Sequence, residues 1–308
     1  MERDPDYRPM VTRLAQYEGH QDAIYRLEWI SQQKFISAGG DGMVVEWSLE
    51  EPDQGRLIAK SEGSVYSLAH NSKAGILAVG KNNDGIQFIE VRSLKDAGFV
   101  KTGAMAIYDL LWVEDDLYVG LADGSLVCIN HQTLKTKAIQ RHSEKSLRCL
   151  VCNPVNGLIA AGYSDCVIRL IYKDGLECLN QWKAHDFSIF TMAWEPNGEF
   201  LLSGSRDAKL KRWRVDELIQ LNKEVNAHLF AINHLQQSPD GRYLITCSMD
   251  KTVKFWEASD LKLLRVLDHS RYGGHKNSVN RVLWIDNLTF ASAGDDRKIS
   301  IWRISNPN

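Results

Sequence analysis

The chain has 308 residues, 44% of them hydrophobic and 25% charged, the balance of an ordinary folded protein. Its 37 basic and 39 acidic residues leave a net charge of −2, which excludes a global basic field suited to nucleic acid or anionic membrane. Residues Met1 to Tyr7 lack the apolar core of a signal peptide and no apolar stretch approaches membrane-spanning length, so a cytoplasmic location is expected.

The first predicted element, Met10 to Tyr17, is a strand with no unit of its own around it. A spaced quartet of histidine, Ser or Thr, aspartate and tryptophan follows at His20, Ser37, Asp41 and Trp47. It recurs at His185, Ser203, Asp207 and Trp213, at His228, Thr246, Asp250 and Trp256, and at His275, Ser292, Asp296 and Trp302. The separation from His to Trp is 27, 28, 28 and 27 residues. Such constancy marks a repeat. Between Trp47 and Trp213, Ile89, Ile129 and Ile171 end strand-like runs that copy the tryptophan segments. The endpoints then step by 42, 40, 42, 42, 43 and 46 residues, which makes seven units.

Within a unit the pattern is of short strands and tight turns. In the sixth, Phe230 to Gln236 is a strand, Ser238-Pro-Asp-Gly is a turn, and Arg242 to Cys247 is the next strand. Val253 to Trp256 alternates faces, and Leu261 to Leu267 closes the unit. Several short strands per unit of about 40–45 residues is the signature of a propeller blade. The reading is all-β: one seven-bladed β-propeller domain over 1–308, with four-stranded antiparallel blades. Its blades span 20–60, 61–102, 103–140, 141–182, 183–224, 225–267 and 275–304. Residues 10–17 complete the last blade, which pairs the two ends of the chain.

Ser, His and Asp together suggest a catalytic triad, but the Ser or Thr lies inside a strand beside small residues, with no nucleophile-elbow pattern. A buried indole needs an acceptor. A chain from Trp N–H to hydroxyl, histidine and aspartate satisfies every group. The quartets are therefore read as bracing. Cys149 and Cys152 have metal-motif spacing, yet they sit on a strand with no second pair, so no metal or cofactor is expected.

On Gly19-His20, Gly274-His275, the turn aspartates and Lys254-Phe-Trp256, the chain resembles the WD-repeat family of seven-bladed propellers over nearly its whole length. It departs from that pattern in having Ser48, Arg214, Glu257 and Arg303 after its tryptophans. Blades two to four keep only His142, Asp123 and Asp165, which predicts a softer arc. The resemblance implies a structural tetrad and a binding platform, not an enzyme.

The apolar residues Ile24, Val65, Ile107, Leu147, Ile189, Ile232 and Val279 are expected to pack between blades. By alternation the following residues turn towards the channel mouth: Tyr25, Tyr66, Tyr108, Arg148, Phe190, Asn233 and Asn280. Gly40, Asn82, Ala122, Ser164, Arg206, Met249 and Asp295, in the next turns, are expected on the same rim. Aromatics and arginine are the residue types enriched at binding hot spots. The expected function is a protein-interaction scaffold that takes a peptide or partner protein on this rim, with the aromatics stacking and Arg148 and Arg206 or Asp295 reading charge. The competing reading is that the aromatics only plug the channel. Two other classes are a nucleic-acid-binding propeller using Lys209, Lys211, Arg212 and Arg214, and a hydrolase with a metal at the channel mouth. The loop 268–274 is expected to overhang the rim, either as a mobile clamp or as a neutral insertion.

Overall fold

Short alternating runs closed by tight turns can bury one face only by stacking, and the chain stacks them in a ring. The computed structural model describes residues 9–31, 33–52 and 54–305, so the reading of residues 1–7 falls outside the described residues. Its strands form seven four-stranded sheets, each antiparallel and in simple up-and-down order. Inner strands run Ile24–Ser31, Val65–Asn71, Ile107–Val113, Leu147–Cys152, Ile189–Trp194, Ile232–Gln237 and Val279–Trp284. Each packs against the inner strand of the next blade, and the first packs against the seventh, which closes the ring.

Met10–Glu18 forms the outer strand of blade seven, antiparallel to Lys298–Ser305, with Val11 opposite Ile304 and Tyr17 opposite Ile299. Tyr17 is fully buried, and its hydroxyl donates to the Ser48 carbonyl of blade one at 3.0 Å, so this strand also ties neighbouring blades together. The hydrophobic core lies in the seams between blades. One cluster joins Tyr243, Ile245 and Phe255 of blade six to Val279, Val282 and Trp302 of blade seven. Another joins Ile36 and Val44 of blade one to Val65, Leu68 and Val79 of blade two.

The four quartets form closed hydrogen-bond chains. Trp47 Nε1 donates to Ser37 Oγ at 2.7 Å, Ser37 meets His20 Nε2 at 2.7 Å, and His20 Nδ1 meets Asp41 at 2.9 Å. In blade five the same links are 2.9, 2.8 and 2.9 Å. Blade six repeats them at 2.9, 2.8 and 2.8 Å, and blade seven at 2.8, 2.8 and 2.9 Å. Each aspartate also caps the backbone, as Asp41 does for Gln21 N.

Blades two to four replace the hydroxyl and indole with Val79 and Ile89, Val119 and Ile129, and Ala161 and Ile171, all buried. The indole donor and its hydroxyl acceptor are lost together, which is nearly neutral. In blade four the marker histidine keeps its Nε2 buried without a partner, so the ground for a softer arc is confined to that blade. In blade four, Asp165 binds Arg169 at 2.8 Å and Ser143 at 2.7 Å instead of His142.

Candidate functional site

Every inner strand breaks register at the same place, just after its first residue. The ladder skips a residue between Ile24 and Arg26, Val65 and Ser67, Ile107 and Asp109, Leu147 and Cys149, Ile189 and Thr191, Ile232 and His234, and Val279 and Arg281. The skipped residues are Tyr25, Tyr66, Tyr108, Arg148, Phe190, Asn233 and Asn280. A bulge re-aims a side chain, and here seven bulges aim seven side chains at one point. All seven are half-buried and line a single cavity of about 420 Å³ at the channel mouth. Strict alternation is not the cause, because the residue after each bulge also faces inward in blades one and seven. Arg26 and Arg281 line the same cavity.

The mouth has two halves. Tyr25 and Tyr66 meet edge-on at 4.9 Å between ring centroids, and Tyr66 stacks on Tyr108 at 6.1 Å. Arg148 lies over the Tyr108 ring at 3.9 Å and reaches the Phe190 ring at 5.0 Å. These side chains do pack on one another, but the cavity above them stays open. The other half is an amide clasp. Asn233 Nδ2 donates to the Val279 carbonyl at 2.8 Å, and Asn280 Nδ2 donates to Asp295 at 2.7 Å and to the Ile24 carbonyl at 3.1 Å. Burial, then Tyr66, Asp22 and Asp295, raise the pKa of the Tyr25 hydroxyl.

The second set of expected rim residues lies outside the cavity. Backbone amides of Gly40, Ala122, Ser164, Arg206, Met249 and Asp295 bond the carbonyls of Ala23, Ala106, Ser146, Ser188, Ala231 and Ser278. That places them on the mouth face but back from the opening, with Arg206 and Asp295 exposed. Asn82 differs, since its side chain caps Ile107 N in the next blade at 2.9 Å.

Loop 268–274 does not overhang the mouth. It forms a single helical turn, His269–Tyr272, capped by Asp268, and its Gly273 carbonyl accepts from Arg13 in the outer strand of blade seven. Tyr272 packs into the seam of blades six and seven. Tyr272 and Arg13 thus hold the loop to the wall, while Asp268 fixes the turn internally by accepting from Arg271 N at 2.8 Å and Ser270 Oγ at 2.9 Å.

The tetrad hydroxyls of Ser37, Ser203, Thr246 and Ser292 are wholly inaccessible, so none can meet a substrate. Cys149 and Cys152 bond different carbonyls, Ile189 at 3.9 Å and Asn153 at 3.6 Å. Among the described residues, no group of three or more His, Cys, Asp or Glu side chains could hold a metal. The basic strand Lys209–Arg214 is the third of its blade rather than the outermost, and its charges are matched. Lys209 and Lys211 share Glu224 at 2.9 and 3.0 Å, Arg212 pairs with Glu195 at 2.6 Å, and Arg214 pairs with Asp216 at 2.9 Å.

The WD domain, G-beta repeat family matches residues 11–48, 176–214, 219–257 and 263–303, about half of the chain. The chain belongs to the WD-repeat family. Telomerase protein component 1 of Rattus norvegicus is 27% identical to this WD-repeat protein over 225 residues, which are 66% of the chain and 8% of the relative. THO complex subunit 3 of Arabidopsis thaliana is 20% identical over 62% of the chain and 61% of its own length. Striatin-3 of Homo sapiens is 22% identical over 64% of the chain and 21% of its own length. The chain thus spans only a part of these curated relatives. The WD40 β-propeller domain of Doa1 superposes with a TM-score of 0.85 over 96% of this chain and 97% of that one at 15% identity, a likeness of fold. Among the described residues of this WD-repeat propeller, no helix is long and apolar enough to cross a membrane.

Two features of the mouth face escape a reading of the sequence by alternation. One is the arginine pair beneath the rim. The other is a set of exposed apolar side chains, Phe187 at 55%, Leu229 at 83% and Phe230 at 60% exposure, which join Met249, already expected on this face, at 53%. Their signal lies in the loops just after the marker histidines, where Gln21-Asp22 and Lys276-Asn277 are polar but Leu229-Phe230 is not.

Proposed function

We propose that this WD-repeat propeller is a non-catalytic interaction module that receives a peptide segment of a partner protein at its channel mouth. The observation that carries this reading is the convergence of seven bulged residues, four of them aromatic and one arginine, on one open cavity. Aromatics in a half-buried ring offer large contact area at small entropic cost, and rings left uncovered in water favour a ligand that covers them. Relatives named as a telomerase component and as a THO complex subunit are parts of assemblies, which supports a protein partner here.

The test is a quantitative comparison of partner capture by wild type and by the Tyr25→Ala/Phe190→Ala pair. Capture should fall at least about tenfold, with a melting temperature within a few degrees of wild type. Partners retained at wild-type yield would overturn the reading.

A further inference from the structure

The floor of the mouth cavity holds two arginines, Arg26 and Arg281, near two carboxylates, Asp109 and Glu28. Arg26 reaches across the channel to Asp109 at 2.5 Å. Asp109 is then committed, since its carboxylate also accepts from Leu150 N at 2.8 Å and Leu110 N at 3.1 Å. Glu28, deeper in the wall, accepts from His70 N at 3.2 Å. His234 is neutral, with Nδ1 accepting from Val282 N at 3.4 Å, while burial and the two arginines hold its pKa far below the usual range. Arg281 faces this cavity with no hydrogen-bond or ion-pair partner among the described residues, and its Nε is buried and unsatisfied. Arg148 on the cavity wall has aromatic neighbours but no carboxylate.

A guanidinium withdrawn from water without a partner is a cost to folding that an incoming anion removes. Burial, then repulsion from Arg26, holds the Arg281 pKa down to about 9 against the attraction of Asp109 and Glu28, neither of which bonds it directly. Its planar fork matches a carboxylate.

We propose that the cavity seats the carboxylate of an acidic side chain from the bound peptide, with Arg281 receiving it at the floor and Arg148 lining its path. The inference rests on the peptide reading above. The apolar residues flanking that side chain would lie on Tyr25, Tyr66, Tyr108 and Phe190. Asp22 and Asp295 lie on the rim at blades one and seven, so the acidic group enters from the side of Arg148.

The test is selection from a random peptide library whose central residue is fixed as Glu, Asp, Gln or Lys. It is run with wild type, Arg281→Gln, Arg281→Lys and the Tyr25→Ala/Phe190→Ala pair. Wild type should enrich Glu or Asp over Gln by about 10- to 100-fold, as expected for charge-assisted bonds. Arg281→Gln should erase that preference, keep the apolar flanks and melt no lower than wild type, and Arg281→Lys should retain part of it. Enrichment without acidic preference, or a preference that survives Arg281→Gln, overturns the carboxylate assignment and leaves the peptide reading standing. An Arg281→Gln chain that fails to fold shows that the arginine is bracing and also overturns the assignment. If no peptide is enriched, the peptide reading falls and this inference with it. Arg281-dependent thermal stabilisation by free glutarate or inorganic phosphate would then assign the site to a small anion.

Discussion

A serine hydroxyl has one proton to give, and in each tetrad the geometry decides where it goes. The indole N–H can only donate, so it fills an acceptor site on the oxygen, and the hydroxyl in turn donates its hydrogen bond to His Nε2. The imidazole then carries its proton on Nδ1 and presents it to the aspartate. Ser203→Ala should therefore strand Trp213 Nε1 and His185 Nε2 in a seam that water does not reach, costing about 2–3 kcal/mol by urea denaturation. Adding Trp213→Phe removes one of the two orphans, so the double variant should lose less than the sum of the singles. Strict additivity would show the chain to be uncoupled. The same links predict a pH response. Burial, the leading effect, lowers the pKa of His185 and His228. Burial opposes ionisation of Asp207, but the His185 bond prevails and draws its pKa down to about 2. Both kinds of group bind fewer protons folded than unfolded, so their stabilisation is full above about pH 6.5. It declines as the unfolded histidines take up protons below that, and again as the pH falls from about 4 through about 2. The urea midpoint should drop in those two windows, with the lower drop smaller in Asp207→Asn. A midpoint flat from pH 7 to pH 3 would refute the linkage.

At the level of strands, ring and closure were legible because they rest on periodicity. Ile89, Ile129 and Ile171 keep the phase of the lost tryptophans, and an unpaired strand over 10–17 matches the missing fourth strand of blade seven. The bulges were not legible. A bulge is a relation between two strands, and nothing within Ile24-Tyr25-Arg26 alone reveals that Tyr25 is skipped in pairing with Gly39 and Ala38. Alternation thus pointed to the rim residues but hid Arg26 and Arg281 directly beneath two of them. The loop 268–274 misled for a different reason. Its length suggested reach, whereas the Asp268 cap and Arg13 fold it back on the wall. The closing strand has a testable weight. Burial of Tyr17 and Val11 is worth about 1.5–3 kcal/mol each, and their removal also bares a strand edge. Deleting residues 1–18 should lower the melting temperature by about 10 °C or more and produce self-association visible by light scattering. A monomer that melts like wild type would mean that the ring closes without this strand.

Across the whole molecule, apolar exposure on the mouth face is lopsided. Phe187, Leu229, Phe230 and Met249 all stand on loops of blades five and six, where Arg206 N bonds the Ser188 carbonyl and Met249 N the Ala231 carbonyl. The loop of blade one offers Gln21 and Asp22 in the same place, and that of blade seven offers Lys276 and Asn277. Single exposed apolar residues need no explanation, but four on adjacent loops beside a ligand cavity form a patch. Each large apolar side chain newly covered contributes about 1–2 kcal/mol, enough for several-fold changes in affinity. A ligand anchored in the channel therefore gains most by leaving over blades five and six. Leu229→Ser/Phe230→Ser should weaken partner binding about tenfold and shift the melting temperature little, because both side chains already face water. It should also improve solubility, which separates loss of a contact from loss of fold. Partner affinity unchanged in this pair, alongside loss in the Tyr25→Ala/Phe190→Ala pair, would confine the interface to the channel and show the patch to be idle.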